Sequence, residues 1–343
     1  MEKIFFIRAN STKTGGAEVY LSRLVQALLE KGIECEIINS GLPKYLPSWL
    51  RVILFNWSVC RKKRGRFYFS LERISCPDVY RAGDGVHKVF LRGGGKSAFN
   101  PLHKVYLHLE SQCFRNAKRI IANSKMIKNQ IISEYKVNPE KIAVIYNGVN
   151  CPEVDQKKAY KSLSSEFGDC EKAKIILYVG SGFKRKGVEP FLNILAELMD
   201  LNFKAFVVGK EKNINHYIKV ADNLGILNNV VFTGARLDVN YFYAVSDIFI
   251  LPTSYEPFSN VILEAMSYKT AVFTTCQNGA SEILDDEYVM NEPNDKSIVK
   301  VIRNLLNNED ELNKIKADNY RLAGELDMEE NVRKTLIALR GLL

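Results

Sequence analysis

Short runs of branched and aromatic residues alternate along the chain with longer stretches in which apolar residues recur every three or four positions. The short runs are typical of buried strands, and the longer stretches, such as AEVYLSRLVQALLEKG, are typical of amphipathic helices. The predicted strands lie at 4–9, 33–38, 67–70, 78–82, 119–123 and 141–147, and again at 174–180, 203–209, 229–234, 247–252 and 271–275. Strands that alternate with helices predict an α/β protein whose parallel sheets are covered by helices on both faces.

A polar stretch at 154–172 interrupts this alternation, and the chain of 343 residues is longer than one hydrophobic core usually organises. The sequence therefore predicts two doubly wound domains, residues 1–150 and residues 151–325. Ligands of such sheets bind just outside the carboxyl ends of the strands. We therefore expect the two domains to face each other across a cleft that holds the active site.

Positive charge is concentrated in the first half of the chain. The whole chain carries a formal charge of +9, but residues 1–160 contain 27 lysines and arginines against 13 acidic residues. The basic character peaks at residues 49–69, where two tryptophans and several aliphatic residues adjoin five consecutive or nearly consecutive cations. This composition suits the surface of an anionic membrane. A core helix followed by a solvated basic turn fits it equally well.

Seven cysteines are scattered without a CxxC pair or a zinc-ligand spacing, so we expect reduced thiols in a cytoplasmic protein. No apolar stretch approaches the roughly 18 residues that a membrane-spanning helix needs. The amino terminus has the pattern of a first strand and lacks that of a signal peptide. We expect a protein that is soluble or peripheral to a membrane.

Three loops at predicted strand ends carry groups suited to a phosphorylated ligand. Gly15 and Gly16 precede a helix, whose amino terminus attracts anions. In GSGFKRKG, residues 180–187, three consecutive cations stand at a strand-to-helix turn, and Lys210 and Lys212 follow the next strand. Cations at these positions would stabilise the charge that develops on a departing phosphate. For each loop taken alone, a solvated polar turn is the alternative.

The stretch TSYEPFSN and the helix after it carry two glutamates separated by seven residues. Glu256 precedes the helix, with Ser259 or Asn260 placed to cap the first turn. Glu264 lies inside the helix, where its carboxylate could accept hydrogen bonds from the paired hydroxyls of a sugar. Read in isolation, the two residues would be a loop acid and a solvated helix acid.

Together these motifs resemble the retaining GT-B glycosyltransferases of family four, the glycosyl transferases group 1 enzymes. The matching motifs are GGAE at 15–18, ANS at 122–124, YNGVN at 146–150, GSGFKRKG at 180–187, FTG at 232–234 and E-x7-E at 256–264. The form of GSGFKRKG in particular is most similar to that of the lipopolysaccharide core glucosyltransferases of Gram-negative bacteria. The resemblance implies a GT-B fold, with an acceptor-binding first domain and a second domain that binds a nucleotide diphospho-sugar. We expect residues 326–343 to form a helix that packs back on the first domain.

The resemblance also implies roles for individual residues at the donor site. Arg185 and Lys186 match the pair that grips the diphosphate. Glu256 matches the acid that faces the donor sugar, and Glu264 matches the acid on the ribose hydroxyls. Further donor contacts are implied for Gly15, Gly16, Lys212, Phe258, Ser259, Asn260 and Val261.

One residue of the first domain is implied to lie near the donor sugar. Asp84 or His87 matches the acid or histidine that many family members place there, and we prefer Asp84. One departure concerns the diphosphate: Ser181 stands where the family sequence has an arginine. Arg185 must therefore substitute for that cation.

The implied reaction moves a hexose, with retention of its anomeric configuration, from a nucleotide diphospho-sugar to a glycan or glycolipid in lipopolysaccharide core or other cell-surface polysaccharide synthesis. A UDP-sugar is favoured as the donor. Cations and helix amino termini would stabilise the departing diphosphate, and no strand-end loop carries Asp-x-Asp, so we expect no metal or other cofactor.

The expected partners are the donor, the acceptor and, through residues 49–69, the anionic cytoplasmic face of the inner membrane. No nucleic acid is expected. One alternative function is a nucleotide-sugar epimerase or hydrolase of the same fold. The other is a non-catalytic basic protein that binds membrane or nucleic acid.

Overall fold

The computed structural model describes residues 3–9, 16–93 and 100–342. The chain forms two compact units, one of residues 1–148 with residues 328–343 and one of residues 149–327. Each unit contains a six-stranded parallel sheet within the described residues. The doubly wound α/β architecture expected from the alternating pattern is thereby confirmed.

The first unit has the strand order β2-β1-β3-β4-β5-β6. Its strands are β1 (Ile4–Ile7), β2 (Cys35–Ile38), β3 (Phe67–Ser70), β4 (Val79–Ala82), β5 (Arg119–Ala122) and β6 (Ile142–Val144). Its helices are α1 (Gly16–Glu30), α2 (Ser48–Arg61), α3 (His87–Arg92), α4 (Pro101–Asn116) and α5 (Lys125–Tyr135). Strand β1 pairs with both β2 and β3, so the direction of strand addition reverses beside β1.

The second unit has the strand order β12-β11-β10-β7-β8-β9. Its strands are β7 (Lys174–Val179), β8 (Phe203–Val208), β9 (Val230–Gly234), β10 (Ile248–Leu251), β11 (Ala271–Thr275) and β12 (Val289–Met290). Its helices are α6 (Gln156–Phe167), α7 (Phe183–Lys186), α8 (Val188–Ala196), α9 (Ile214–Asn223), α10 (Val239–Val245), α11 (Asn260–Ser267), α12 (Ser297–Asn307) and α13 (Glu309–Glu325). The strand order reverses between β10 and β7, which is the topological switch point of this sheet.

The last helix, α14 (Met328–Leu339), belongs to the core of the first unit. It packs against α1 and β5, and Val332 and Leu339 are buried beside Leu24 and Phe69. Burial of apolar side chains contributes about 25 cal/mol per Å² removed from water, so this face holds the segment to the sheet.

Helix α2 has two different apolar faces. Phe55 and Val59 are buried in the core of the first unit. Trp49, Ile53 and Trp57, four residues apart and therefore on one side of the helix, are 37%, 40% and 58% exposed. The segment is thus a core helix that also presents an apolar stripe at its surface. Among the described residues no helix is long and apolar enough to cross a membrane.

The expectation that all seven cysteines are reduced thiols is wrong for one pair. Cys60 and Cys76 form a disulfide, with Cα atoms 5.8 Å apart. The fold brings the last turn of α2 against the loop after β3, which joins two cysteines 16 positions apart in sequence. The other five cysteines are free thiols. This pair therefore gives no support to a reducing compartment.

Candidate active site

The loops that follow β7 and β10 flank the switch point of the second sheet, where ligands of doubly wound sheets bind. The turn after β7 consists of the single-turn helix α7 between Gly182 and Gly187, both with left-handed φ of 78° and 81°. A Cβ atom at Gly187 would lie 1.8 Å from the carbonyl oxygen of Pro252, so only glycine permits this approach of the two loops. A backbone hydrogen bond also joins the two loops, because the carbonyl oxygen of Arg185 accepts the N–H of Ser254 at 2.9 Å.

The structure brings together three of the predicted site residues at this point. The Arg185 Nη1 donates to Glu256 Oε2 at 2.6 Å and to the carbonyl oxygen of Tyr255 at 2.7 Å. The Lys186 Nζ lies 3.7 Å from the same carboxylate oxygen. The side chains of Lys186 and Glu256 are 15% and 17% exposed, so their charges are only partly screened by water. Two cations facing one carboxylate leave a site that favours an anion.

Glu264 lies in α11, and a buried tyrosine fixes its carboxylate. The Tyr243 hydroxyl donates to Glu264 Oε2 at 3.0 Å. The ring of Tyr243 stacks on Tyr268 with centroids 5.5 Å apart. Burial and then the Glu264 charge raise the pKa of Tyr243 well above its ordinary value, so its hydroxyl remains a hydrogen-bond donor. The sequence interpretation missed Tyr243, because no pattern links a tyrosine in α10 to a glutamate in α11.

The amino-terminal end of α11 differs in one respect from the expected capping. Ser259 occupies the N-cap position, but its side chain makes no capping hydrogen bond. Its backbone N–H donates to Asn278 Oδ1 at 3.2 Å. Its hydroxyl is buried and has no hydrogen-bond partner in the part of the chain that the structure describes. The amide of Ser259 is therefore already used, and its hydroxyl is the group with unused bonding capacity.

The loop after β8 supplies both a cation and a structural carboxylate. Lys212 is exposed in this loop, at the same sheet edge as α7. Glu211 Oε2 accepts the backbone N–H of Phe183 at 3.1 Å, which ties the loop to the first residue of α7. Ser181 Oγ accepts the backbone N–H of Lys210 at 3.0 Å. Ser181 thus has a structural partner, and the cation of this turn comes from Arg185.

The family models match both units of the chain. The model described as Glycosyl transferases group 1 matches residues 161–322, and the model described as Glycosyltransferase Family 4 matches residues 80–152. Over these residues the chain is similar to the group 1 glycosyltransferases. The resemblance read from the motifs is thereby confirmed.

Two curated relatives of the chain are named for lipopolysaccharide synthesis. The chain is 28% identical over 223 residues to lipopolysaccharide glucosyltransferase WaaG of Escherichia coli, covering 61% of this chain and 58% of WaaG. It is 28% identical over 291 residues to lipopolysaccharide core biosynthesis glycosyltransferase LpsE of Rhizobium meliloti, covering 80% of this chain and 79% of LpsE. Against the uncharacterized glycosyltransferase MJ1607 of Methanocaldococcus jannaschii, the match spans 45% of the relative's length. The chain thus spans only about half the length of some of the curated relatives it matches.

Solved structures share the fold of the chain at low sequence identity. The crystal structure of WaaG superposes with a TM-score of 0.81 at 20% identity, covering 98% of this chain and 100% of that chain. Anabaena Alr3699/HepE, solved in complex with UDP and glucose, superposes with a TM-score of 0.78 at 18% identity, covering 99% and 100%. These likenesses establish the GT-B fold.

In the first unit, Asp84 lies in the loop between β4 and α3, and His87 is the first residue of α3. A buried ion pair holds this segment. The Arg73 Nε donates to Glu110 Oε1 at 2.9 Å, and both side chains are less than a tenth exposed. The Arg73 guanidinium also donates to the carbonyl of Gly85 at 2.9 Å and lies 3.9 Å from Asp84 Oδ2. Glu110 accepts the backbone N–H of His87 at 2.7 Å. The Asp84 side chain lies at the edge of this ion-pair network and is half exposed.

A second ion-pair cluster stands where the strand order of the first sheet reverses. Arg8, directly after β1, pairs with Glu18 at 3.0 Å and with Glu72 at 3.1 Å. Burial raises the pKa of Glu72, although Arg8 acts in the opposite sense. The sequence interpretation missed Arg8 and Glu72, although Arg8 lies near the end of the strand predicted at 4–9 and Glu72 lies two residues after the strand predicted at 67–70. Glu18 belongs to the GGAE motif, of which Gly15 lies outside the described residues and Gly16 begins α1.

Proposed function

We propose that this protein is a retaining hexosyltransferase that moves a hexose from a nucleotide diphospho-sugar to a glycan or glycolipid acceptor. The observation that carries the proposal is the cluster of Arg185, Lys186 and Glu256 at the switch point of the second sheet. The names of WaaG and LpsE support an acceptor in lipopolysaccharide core or other cell-surface polysaccharide synthesis. The HepE complex with UDP and glucose supports a UDP-sugar as the favoured donor.

In this scheme the bond between the anomeric carbon and the diphosphate oxygen breaks, and its electron pair leaves with the diphosphate. The oxygen of the acceptor hydroxyl forms the new glycosidic bond, and the proton of that hydroxyl passes to the departing diphosphate. Negative charge develops on the leaving diphosphate. Arg185 and Lys186, which stand beside Glu256 before the donor binds, would stabilise that charge. Lys212 and the amino terminus of α11 add positive charge at the same edge. The scheme needs no metal ion or other cofactor.

The remaining donor contacts divide between two glutamates and the residues between them. Glu256 would hold the hexose and Glu264 the ribose hydroxyls. Ser259 would reach a phosphate through its hydroxyl, because its amide is bonded to Asn278. Phe258, Asn260 and Val261 keep the roles implied by the family motif, as do Gly15 and Gly16. In the first unit, Asp84 is the proposed contact to the donor sugar, and His87 is the alternative.

The donor is tested with a thermal-shift panel of UDP-, GDP- and ADP-sugars. A true donor stabilises the folded protein by about 2.7 kcal/mol at a hundredfold excess over its dissociation constant. UDP-glucose is expected to raise the melting temperature, and the anomeric configuration of the product is then read by NMR. Consumption of the donor without any acceptor at the full rate would favour the epimerase or hydrolase. No shift with any nucleotide sugar would reject the proposal.

The site is tested with Glu256→Gln and Lys186→Ala, with Lys184→Ala as the matched control. Lys184 is an exposed lysine of the same turn α7. We expect Lys186→Ala to weaken UDP binding and turnover by tenfold or more, since one such cation on a phosphate is worth about 1.5–3 kcal/mol. Glu256→Gln should reduce turnover while leaving UDP bound, and Lys184→Ala should match the wild type. Near-normal turnover in both site variants would show that the assignment is mistaken.

The proposed partner of α2 is the anionic cytoplasmic face of the inner membrane. Its exposed stripe of Trp49, Ile53 and Trp57 continues into the basic segment after the helix, and Arg61 lies 5.1 Å over the Trp57 ring. Tryptophan suits the lipid headgroup level, and each nearby cation contributes about 1 kcal/mol against an anionic leaflet. An acceptor embedded in that leaflet would then meet the basic first unit. No nucleic acid takes part in this scheme.

The membrane proposal is tested by flotation with vesicles of neutral and anionic lipid at low and high salt. The double variant Trp49→Ser with Trp57→Ser is compared with Leu237→Ser, which removes a fully exposed apolar side chain from the second unit. The double variant should lose binding to anionic vesicles, and the control should retain it. Binding that is equal in all three proteins, or absent in the wild type at low salt, would contradict the proposal.

A further inference from the structure

Asn278 is a fully buried polar side chain in the loop after β11, and both its amide oxygen and its amide nitrogen form hydrogen bonds. Its Oδ1 accepts the backbone N–H of Ser259 at 3.2 Å and that of Ala280 at 3.1 Å. Its Nδ2 donates to Thr274 Oγ1 at 3.0 Å, and that hydroxyl donates to the carbonyl of Leu251 at 2.8 Å. Two backbone N–H donors on one side fix the orientation of the amide, because only the oxygen can accept them.

The same loop forms hydrogen bonds with both the backbone N–H and the backbone carbonyl of Glu256. The Glu256 N–H donates to the carbonyl of Gln277 at 3.0 Å, and the Gly279 N–H donates to the carbonyl of Glu256 at 2.9 Å. Asn278 lies between these two bonds and reaches Ser259, three residues further along the Glu256 loop. The Arg185 guanidinium holds the other side of that loop. Two sets of contacts therefore position the Glu256 carboxylate. One is the Arg185 guanidinium, and the other is the clamp formed by Asn278 and the backbone bonds on either side of it.

We propose that Asn278 is a positioning residue for the donor sugar. It holds the backbone of Glu256 where the carboxylate meets the hexose, and it leaves the nucleotide contacts of Glu264 untouched. The inference rests on the proposed function, because it assigns Glu256 to the hexose. A displacement of about 1 Å at a site of this kind can lower turnover by roughly a hundredfold.

The chemistry explains why asparagine stands here. Aspartate would keep both bonds to the amides of Ser259 and Ala280 and lose only the donor to Thr274. Alanine would lose all three bonds and leave two buried N–H groups unpaired. The proposal therefore predicts an order of function, with wild type first, Asn278→Asp close behind and Asn278→Ala far below.

The test compares these variants with Asn319→Ala, a matched control in the same unit. Asn319 is also a buried asparagine, but it donates to the carbonyl of Thr270 before the opposite end of β11. Dissociation constants for UDP and UDP-glucose are measured by calorimetry, with turnover of UDP-glucose below the melting temperature of every variant. Because Asn278 also holds the amide of Ser259, the proposed phosphate contact, we expect Asn278→Ala to bind UDP a few-fold more weakly. It should lose more affinity, about tenfold, for UDP-glucose and tenfold or more in kcat. Asn278→Asp should recover kcat to within about threefold, and Asn319→Ala should lower only the melting temperature.

Hydrogen exchange of the backbone amides of Glu256, Phe258 and Ser259 gives a readout that needs no donor. If Asn278→Ala does not fold, Asn278→Ser replaces it and should show the same separation of UDP from UDP-glucose in weaker form. Wild-type affinity and kcat in the alanine or serine variant, or the same loss in Asn319→Ala, would overturn the positioning role. A wild-type protein that neither binds nor consumes a nucleotide sugar would instead reject the proposed function, and unchanged exchange of these amides in the variant would then reject the clamp as well.

Discussion

Removal of one buried hydroxyl, by Tyr243→Phe, is expected to weaken nucleotide binding without touching the ligand. The Tyr243 hydroxyl donates to Glu264 Oε2 at 3.0 Å, and its ring stays in place against Tyr268. A hydrogen bond to a charged group contributes about 1.5–3 kcal/mol. Glu264 is only partly buried, so water can replace some of the lost bond, and we take about 1.5 kcal/mol. For a unit of this size the melting temperature should fall by roughly 3–6 °C.

The effect on binding follows from the loss of this hydrogen bond to Glu264. In the wild type the bond helps to orient the carboxylate, whereas in Tyr243→Phe the carboxylate is held less firmly and must be ordered further when the ribose binds. Immobilising such a side chain costs about 0.5–1.5 kcal/mol, which corresponds to a two- to tenfold weaker dissociation constant for UDP. Because the pKa of Tyr243 is raised well above its ordinary value, the hydroxyl is protonated throughout the neutral range, and the difference should not vary with pH there.

Calorimetric titration with UDP measures this difference, and Tyr268→Phe is the matched control. That substitution removes a hydroxyl from the stacked neighbour and leaves the bond between Tyr243 and Glu264 in place. The control should bind UDP as the wild type does. If Tyr243→Phe melts earlier but binds UDP with unchanged affinity, then Tyr243 is purely structural and Glu264 does not hold the nucleotide.

Two further substitutions test how the site loops are held. Glu110→Gln would leave the buried Arg73 guanidinium without its main charged partner. We expect the free energy of unfolding to fall by about 3–5 kcal/mol and the melting temperature by roughly 6–20 °C. The control Glu36→Gln, in an exposed ion pair with Lys3, should cost under about 1 kcal/mol. Gly187→Ala would place a methyl group 1.8 Å from a backbone oxygen and should abolish UDP binding or folding. Gly182→Ala has a similar φ but open space around its Cβ, so it should cost only about 1–2 kcal/mol. Calorimetric melting and UDP titration measure both pairs, and equal effects within either pair would contradict the argument.

The parallel sheets could be predicted from the sequence because the spacing of apolar residues and the local composition determine which short segments form strands and which form helices. The run AVFTT gives a strand at the predicted residues, and IECEII gives one two residues shorter than predicted. Strand β12 was missed, since two residues give no readable pattern. The strand-end rule likewise brought Arg185 and Glu256 to one edge, although they are 71 positions apart.

The partners of these residues could not be predicted in the same way. The bonds from Tyr243 to Glu264 and from Asn278 to Ser259 depend on how helices and loops pack across the sheet edge. The local spacing of apolar and polar residues carries no information about which side chains of distant segments come into contact. The disulfide of Cys60 was missed for the same reason, because its partner is set by where α2 ends against a loop. The sequence thus located the charged groups, whereas the side chains that orient them required the structure.

The ion pair at the switch point also determines how binding and turnover should separate. Arg185 donates to Glu256 at 2.6 Å, so an arriving diphosphate must compete for a guanidinium that already has acceptors. The Lys186 Nζ lies 3.7 Å from the same carboxylate oxygen, which is too long for a strong hydrogen bond. The ammonium group can therefore move to the diphosphate at a smaller cost in interaction energy than the Arg185 guanidinium. Neutralising Glu256 would release Arg185 to the phosphate and remove the contact proposed for the hexose. Tighter UDP binding together with slower transfer is therefore the expected consequence of Glu256→Gln, whereas an acid with no part in the donor site would change neither.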